Sequence, residues 1–271
     1  MNTRRGGRIR TGDHSLPKRV RYQAALHPGS LDYGARARWE SMAEQWADQI
    51  REGADRMGLD ISAQETERLS LFLSELYARN EAVNLTRVPP NDAAETHILD
   101  CLSLLLIPGL PKVRRALDVG TGGGLPGVPL AVLRPGWQWT LMDGTRKKLD
   151  FVSHAAGVMG LRNVTVLHGR AEEAARRPEL TQSFDLVAAR AVASMDRLVE
   201  WMLPFVRPGG VAVAYKTKAA AQEIADCVGR ARMLGGELTD VVPIRLPFSG
   251  AERLLAVLRR RMNSEESTGG D

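Results

Sequence analysis

Cysteine is scarce in this 271-residue chain: Cys101 and Cys227 are the only two. They lie too far apart for a CxxC motif, and two cysteines with no histidine spacing around them form no metal-binding or redox signature, so both are expected as small buried hydrophobes in a reducing compartment. Aromatic residues make up only 5%. Long apolar runs are missing too: the longest, Leu102 to Pro108, is far short of the ~20 residues that span a bilayer. The basic N-terminus carries no apolar signal core, so export and membrane insertion are not expected and the cytoplasm is the default. No G-x-x-x-x-G-K-[ST] loop occurs, which argues against hydrolysis of ATP or GTP.

The net charge of +5 is unevenly placed. Residues 1 to 39 hold nine Lys/Arg (Arg4, Arg5, Arg8, Arg10, Lys18, Arg19, Arg21, Arg36, Arg38) against Asp13 and Asp32, a net of +7, which leaves −2 for the rest. Such a segment is expected to be a disordered tail over residues 1–40, or else an RNA-binding arm. A second disordered tail is expected at 263–271. Between them, residues 41–112 read as a helical cap. Ser62-Ala-Gln-Glu65 is a capping box, and Leu69, Phe72, Leu73, Leu76 and Tyr77 recur at helical spacing. Arg38 to Met57 predicts one more helix, and Asn91 is expected to cap another running through His97, Asp100 and Leu104 to Pro108. His97 and Asp100 share a helix face and read as a structural pair.

Residues 113–262 alternate strand and helix, which predicts an α/β fold with a parallel sheet and helices on both faces. The expected strands are Arg115–Val119, Gln138–Met142, Val164–Leu167, Phe184–Ala189, Gly210–Lys216, Leu238–Ile244 and Leu254–Leu258. Only Arg245 to Arg253 separate the last two, too few for a crossover helix, so the last strand should run antiparallel. The most informative stretch is Ala116 to Leu130, where an apolar strand enters a glycine cluster and then a helix favoured by Pro126 and Pro129. Gly120, Gly122 and Gly124 let the backbone pass close to a ligand. Asp118 ends the first strand and Asp143 the second, and two acids with a glycine turn suit an adenosyl ligand. Gly122-Gly-Gly124-Leu-Pro-Gly127 also fits the dinucleotide pattern G-x-G-x-x-G, with Asp143 ~20 residues on, so an NAD enzyme with His168 as proton donor stays open. A non-catalytic RNA-binding module working through the basic arm is a third reading.

The hairpin ending resembles that of class I methyltransferases from Val113 to about Arg260: a Rossmann-like, seven-stranded, mostly parallel sheet with its last strand antiparallel. Asp118-Val-Gly-Thr-Gly-Gly-Gly-Leu-Pro-Gly127, Arg146-Lys-Lys148, Gly169-Arg-Ala-Glu-Glu173, Phe184-Asp-Leu-Val-Ala-Ala-Arg-Ala191 and Tyr215-Lys-Thr-Lys218 stand here in order. With Asn84-Leu-Thr86 and His97-Ile-Leu-Asp100 they resemble the bacterial 16S ribosomal RNA guanine-N7 methyltransferases, also called glucose-inhibited division protein B, over roughly residues 65 to 260. The chain departs from that family's usual pattern at Gly144, where serine is usual, and at Thr217, where glycine is usual.

The resemblance implies S-adenosyl-L-methionine as cofactor and N7 of a specific guanine in 16S ribosomal RNA, or the small ribosomal subunit, as acceptor. It places cofactor contacts on Gly120 and Leu125, on Asp143 for the ribose hydroxyls, on Ala171 and Glu172 beside the adenine, and on Arg190, with Asp118, Gly122 and Gly124 in the loop. Lys147, Lys148, Arg170, Arg190 and Lys216 fall on loops expected to edge the pocket and are candidates for positioning RNA. No catalytic acid or base is expected, because guanine N7 carries a free lone pair. No metal is implied, and a monomer is expected. The residues agree with this chemistry: after the fourth strand the chain reads Ala189-Arg-Ala-Val-Ala-Ser194, neither the [D/N]-P-P-[Y/F] of amine methylation nor a cysteine nucleophile.

Overall fold

Side chains along the first strand alternate between two cores, and that alternation sets the architecture. The computed structural model describes residues 33–262. Within it β1 (Arg115–Val119) turns Ala116 toward one core and Leu117 and Val119 toward another. The pattern repeats on β2 (Gln138–Asp143), β4 (Phe184–Arg190) and β5 (Val206–Thr217), where Leu141, Ala188 and Val213 face one core and Met142, Ala189 and Ala214 the other. With β3 (Val164–His168), β6 (Gly236–Arg245) and β7 (Glu252–Arg260) the sheet reads β3-β2-β1-β4-β5-β7-β6. The first five strands pair in parallel, and β7 lies antiparallel between β5 and β6. All seven expected strands are present, and the last is the reversed one.

The cap consists of α1 (Tyr33–Arg56), α2 (Ala63–Val83), a π-helical turn Ala94–Leu99 and a short α3 (Asp100–Leu102). It shares one core with α4 (Gly127–Leu133) and α5 (Arg146–Val158) on the same sheet face: Trp46, Phe72, Leu76 and Ile98 lie in the same cluster as Leu130, Phe151 and Leu186. The opposite face carries α6 (Ala171–Ala174), α7 (Met195–Met202), α8 (Ala221–Asp226) and α9 (Val228–Met233). Ser62 caps α2 as expected, its Oγ accepting from the Glu65 N–H at 3.2 Å while Glu65 accepts from the Ser62 N–H at 2.8 Å.

Two expectations for the cap need correction. Asn91 does not cap a helix: it sits inside a 3₁₀ turn, Pro90–Asp92, entered through Pro89. Proline at the first position, where its missing N–H costs nothing, sets the turn instead. Helix α1 begins at Tyr33, so the tail boundary expected at residue 40 falls within it. The rest of that tail, and 263–271, lie outside the described residues.

The cap also holds a segment that the site needs. Trp46 Nε1 donates to the Pro90 carbonyl at 2.8 Å and Tyr77 Oη to the Val88 carbonyl at 2.8 Å. Asn80 brackets Thr86, accepting its N–H at 2.8 Å and donating to its carbonyl at 2.9 Å. Leu85 and Val88 are thereby fixed where the cap meets the strand ends.

Candidate functional site

Crossing from β1 into the glycine cluster, the chain is held by two acids. Gly120 and Thr121 donate their N–H groups to the Met142 carbonyl of the neighbouring strand at 2.8 and 2.9 Å. Asp143, at the end of β2, accepts from the Gly122 N–H at 3.0 Å through one oxygen and from the Thr145 N–H at 2.7 Å through the other. Asp118 lies beneath: its Oδ2 accepts from the Thr121 hydroxyl at 2.7 Å and from the Gly127 N–H at 2.9 Å. Burial raises the Asp118 carboxyl pKa to about 7, although those two hydrogen bonds pull the other way. Gly120, Gly122 and Gly124 all have positive φ, as the turn requires.

The turn opens onto a cavity of about 760 Å³. Gly120, Thr121, Gly122, Gly123, Leu125 and Asp143 form one wall. A second, cationic wall holds Thr96, His97, Asp100, Arg190, Lys216, Glu223 and Arg253, and Lys148, Leu85 and Val88 also belong to the lining. Of the site candidates singled out from the sequence, the structure therefore brings Gly120, Gly122, Leu125, Asp143, Lys148, Arg190 and Lys216 into one cavity.

Others fall outside its lining. Asp118 is fully buried behind the turn, and Gly124 points toward Val128, so both shape the loop from behind. Arg170, Ala171 and Glu172 follow the edge strand β3, two strands from β1. Lys147 is exposed, and its neighbour Lys148 lines the cavity instead, because consecutive helix residues point about 100° apart. His168, the proton donor that an NAD enzyme would need, is likewise outside the lining and contacts the Gly144 carbonyl at 3.2 Å.

Arg190 is tied to the cap. Its side chain is only 12% exposed. Nη1 donates to Asp100 Oδ2 at 2.9 Å and to the Thr96 carbonyl at 2.7 Å, while Nη2 lies 3.3 Å from His97 Nδ1. Guanidinium only donates, so Nδ1 must accept and the ring proton sits on Nε2, 2.7 Å from Thr86 Oγ1. Burial, with Arg190 beside it, lowers the His97 pKa to about 3, so the ring is neutral at physiological pH. His97 and Asp100, expected as a structural pair, are each bonded to Arg190, which joins them. Arg253 Nε adds an ion pair to Asp100 Oδ1 at 3.3 Å. Sequence reasoning missed Arg253, because the last strand was expected to start at Leu254 and starts at Glu252, and it missed Glu223 altogether. It also missed Ala191 and Val192: the positive φ of Ala191, 56°, carries no sequence signal.

The wall fits an S-adenosylmethionine ligand. A Cβ on Gly122 would meet nothing nearer than the Gly120 carbonyl at 4.0 Å, so the backbone there presents open space. Each Asp143 oxygen accepts one N–H and keeps a lone pair free for a hydroxyl donor. Both cysteines are buried, and burial pushes the Cys101 thiol up to about 12 and the Cys227 thiol to about 11, which leaves neither as a nucleophile.

A parallel sheet with β7 reversed between β5 and β6, and a glycine turn and acid at the ends of β1 and β2, make this a class I methyltransferase, which uses S-adenosyl-L-methionine. The chain matches the family described as rRNA small subunit methyltransferase G over residues 65–247. It belongs to that family. The ribosomal RNA small subunit methyltransferase G of Deinococcus radiodurans is 41% identical over 213 residues, covering 78% of this chain and 84% of that one. The protein of the same name from Clostridium botulinum strain Alaska E43 is 33% identical over 214 residues, covering 79% and 90%. Among solved structures, M. jannaschii TYW2 in complex with AdoMet overlaps with a TM-score of 0.48 at 16% identity, covering 60% of this chain and 76% of that one. Family membership removes the NAD-dependent and non-catalytic readings. Among the described residues, no helix is long and apolar enough to cross a membrane.

Proposed function

We propose that this protein methylates N7 of one guanine in 16S ribosomal RNA, acting in the cytoplasm as a monomer on the small ribosomal subunit or its RNA. When bound, S-adenosylmethionine supplies the methyl group and the sulfonium from which it departs. Gly120, Gly122 and Leu125 would hold it from the turn, and Asp143 would accept from its ribose hydroxyls. Ala171 and Glu172 would border the adenine.

The observation that carries this reading is that every carboxylate and imidazole in the lining already has a partner, and the lone pairs left on Asp143 lie on the glycine wall, where the cofactor ribose would take them. His97 is neutral with both nitrogens engaged; Asp100 is paired with Arg190 and Arg253; Asp143 accepts from two backbone N–H groups; Glu223 is paired with Lys216. A purine nitrogen that already has a lone pair needs no base. It needs alignment beside the sulfonium, and Leu85 and Val88 of the cap add apolar surface to the lining where a nucleobase would lie. Lys148, Lys216 and Arg253 would offer donors to the RNA. Lys147 and Arg170, exposed beyond the cavity, would meet phosphates farther out.

The test is methyl transfer from labelled S-adenosylmethionine to small-subunit particles and to naked rRNA, both from a strain lacking the enzyme, with the product base identified by mass spectrometry. A single 7-methylguanosine is the expected product. Transfer to another position would overturn the guanine-N7 reading while leaving the family assignment intact.

A further inference from the structure

One carboxylate on the cationic wall gathers three separate pieces of chain. Glu223 stands in the first turn of α8 and lines the cavity. Its Oε2 accepts from Lys216 Nζ at 3.0 Å, at the end of β5, and its Oε1 accepts from the Met195 N–H at 2.8 Å, at the start of α7. The same ammonium donates to the Ala193 carbonyl at 2.8 Å. Segment 191–194 is thus held at both the ammonium and the helix start. Val192 of that segment abuts the glycine turn, lying 2.8 Å from where a Cβ on Gly120 would be.

We propose that Glu223 is a positioning residue for methyl transfer: with the Ala193 carbonyl it fixes the Lys216 ammonium so that a single N–H remains to meet the RNA. This rests on the function proposed above. A lysine ammonium has three donors, and two are taken here. A lysine held this way has already lost its rotamer freedom before RNA arrives, so binding need not freeze it. Its side chain is only 12% exposed, in keeping with a fixed group. Burial works to raise the Glu223 pKa, but the Lys216 and Met195 hydrogen bonds outweigh it and hold the carboxyl below its ordinary value, so it is ionised at working pH.

A purely structural Glu223 would act on stability and on both ligands alike; a positioning Glu223 acts on methyl transfer through Lys216, while loss of its Met195 contact is read in Tm. A double-mutant cycle separates the two. Glu223→Gln, Lys216→Met and the double variant are compared in the full chain by cofactor affinity (calorimetry), by kcat and KM for transfer to small-subunit particles, and by Tm. Each single change is expected to lower kcat/KM by about tenfold, the scale of one hydrogen bond to a charged group. The double variant should fall no further than Lys216→Met alone, and the Kd for S-adenosylmethionine should stay within about twofold throughout. Multiplying losses, a parallel loss of cofactor affinity, or a fully active Glu223→Gln would each overturn the proposal. If Glu223→Gln does not fold, Glu223→Asp replaces it: the charge stays but the shorter arm cannot reach both partners, so the same cycle applies with a smaller loss. A wild-type protein that binds the cofactor yet leaves rRNA unmethylated would overturn the proposed function itself, whereas an active wild type makes every other outcome bear on Glu223 alone.

Discussion

The two walls of the cavity are built from different materials. The glycine wall is backbone held by backbone and by nearby acids: Asp118 reaches Thr121 and Gly127, three and nine residues away, and Asp143 reaches Thr145 and Gly122. The cationic wall is made of long side chains held across the molecule. Arg190 meets Asp100 at a separation of 90 residues, and Arg253 meets the same carboxylate. The first wall can form with the β1–turn–α4–β2 unit that contains it. In the second, the cluster of Arg190 and Arg253 on Asp100 exists only once the cap has docked, so it couples the site to the whole fold.

The strongest way to break that contrast is to remove the cation on which the second wall turns. Arg190→Met leaves Asp100 buried with one weaker partner and the Thr96 carbonyl without its donor; taking one member from a buried pair typically costs about 3–5 kcal/mol. Denaturant unfolding is expected to show a loss of that size. A loss below about 1 kcal/mol would mean the pair is not the keystone.

The next effect separates the walls by ligand. Asp143→Ala leaves the Gly122 and Thr145 N–H groups without acceptors and removes the proposed ribose contact, so S-adenosylmethionine affinity should fall by about tenfold to a hundredfold. Lys216→Ala should leave that affinity intact while RNA methylation falls. Equal loss of cofactor affinity in both variants would refute the division of roles. A smaller effect is expected from Gly120→Ala: φ is 73°, and the new Cβ would lie 2.8 Å from Val192 Cγ1, where the β-branched side chain has little room to turn. The cost should be roughly 1–3 kcal/mol in unfolding free energy, with weaker cofactor binding. A neutral Gly120→Ala would show that the turn tolerates what its geometry forbids.

The same contrast explains what was legible in the sequence. The strands could be read as short apolar runs, because a strand with a core on each face, as at Ala116 and Leu117, is apolar throughout, and the glycine wall because its turn is one continuous stretch of sequence. Asp143 belongs to that wall and was found. Glu223 and Arg253 owe their place to β5, β7 and α8 coming together, which no local spacing records. Arg190 was located correctly at its strand end, but its attachment to Thr96, His97 and Asp100 depends on how the cap packs. Asn91 looked like a cap because Asn favours that role, yet the turn had already begun at Pro90. Lys147 and Lys148 are equivalent in composition; only the helix phase of α5 chooses between them.

The smallest expected effect is a pH dependence in which the two walls oppose each other. Asp118 binds its proton more tightly folded, near pH 7, than in the unfolded chain, near 3.8. Its contribution to stability is therefore lost as pH rises from about 4 to 7. His97 does the reverse: with a folded pKa near 3 against 6.5 unfolded, its contribution is fully present above about 6.5 and is lost as pH falls toward 3. Across the shared window the two slopes cancel in large part, so the wild-type profile should show little from either. Asp118→Asn removes the first slope, and its stability should rise with pH relative to wild type between about 4 and 7. His97→Asn keeps an acceptor for Arg190 but removes the second slope, and its stability should fall with rising pH relative to wild type over about 3 to 6.5. Unfolding free energies measured for the three proteins at half-unit steps decide the matter. Curves that run parallel would mean that neither buried group titrates as its surroundings require, and the two walls would then differ in construction without differing in their response to acid.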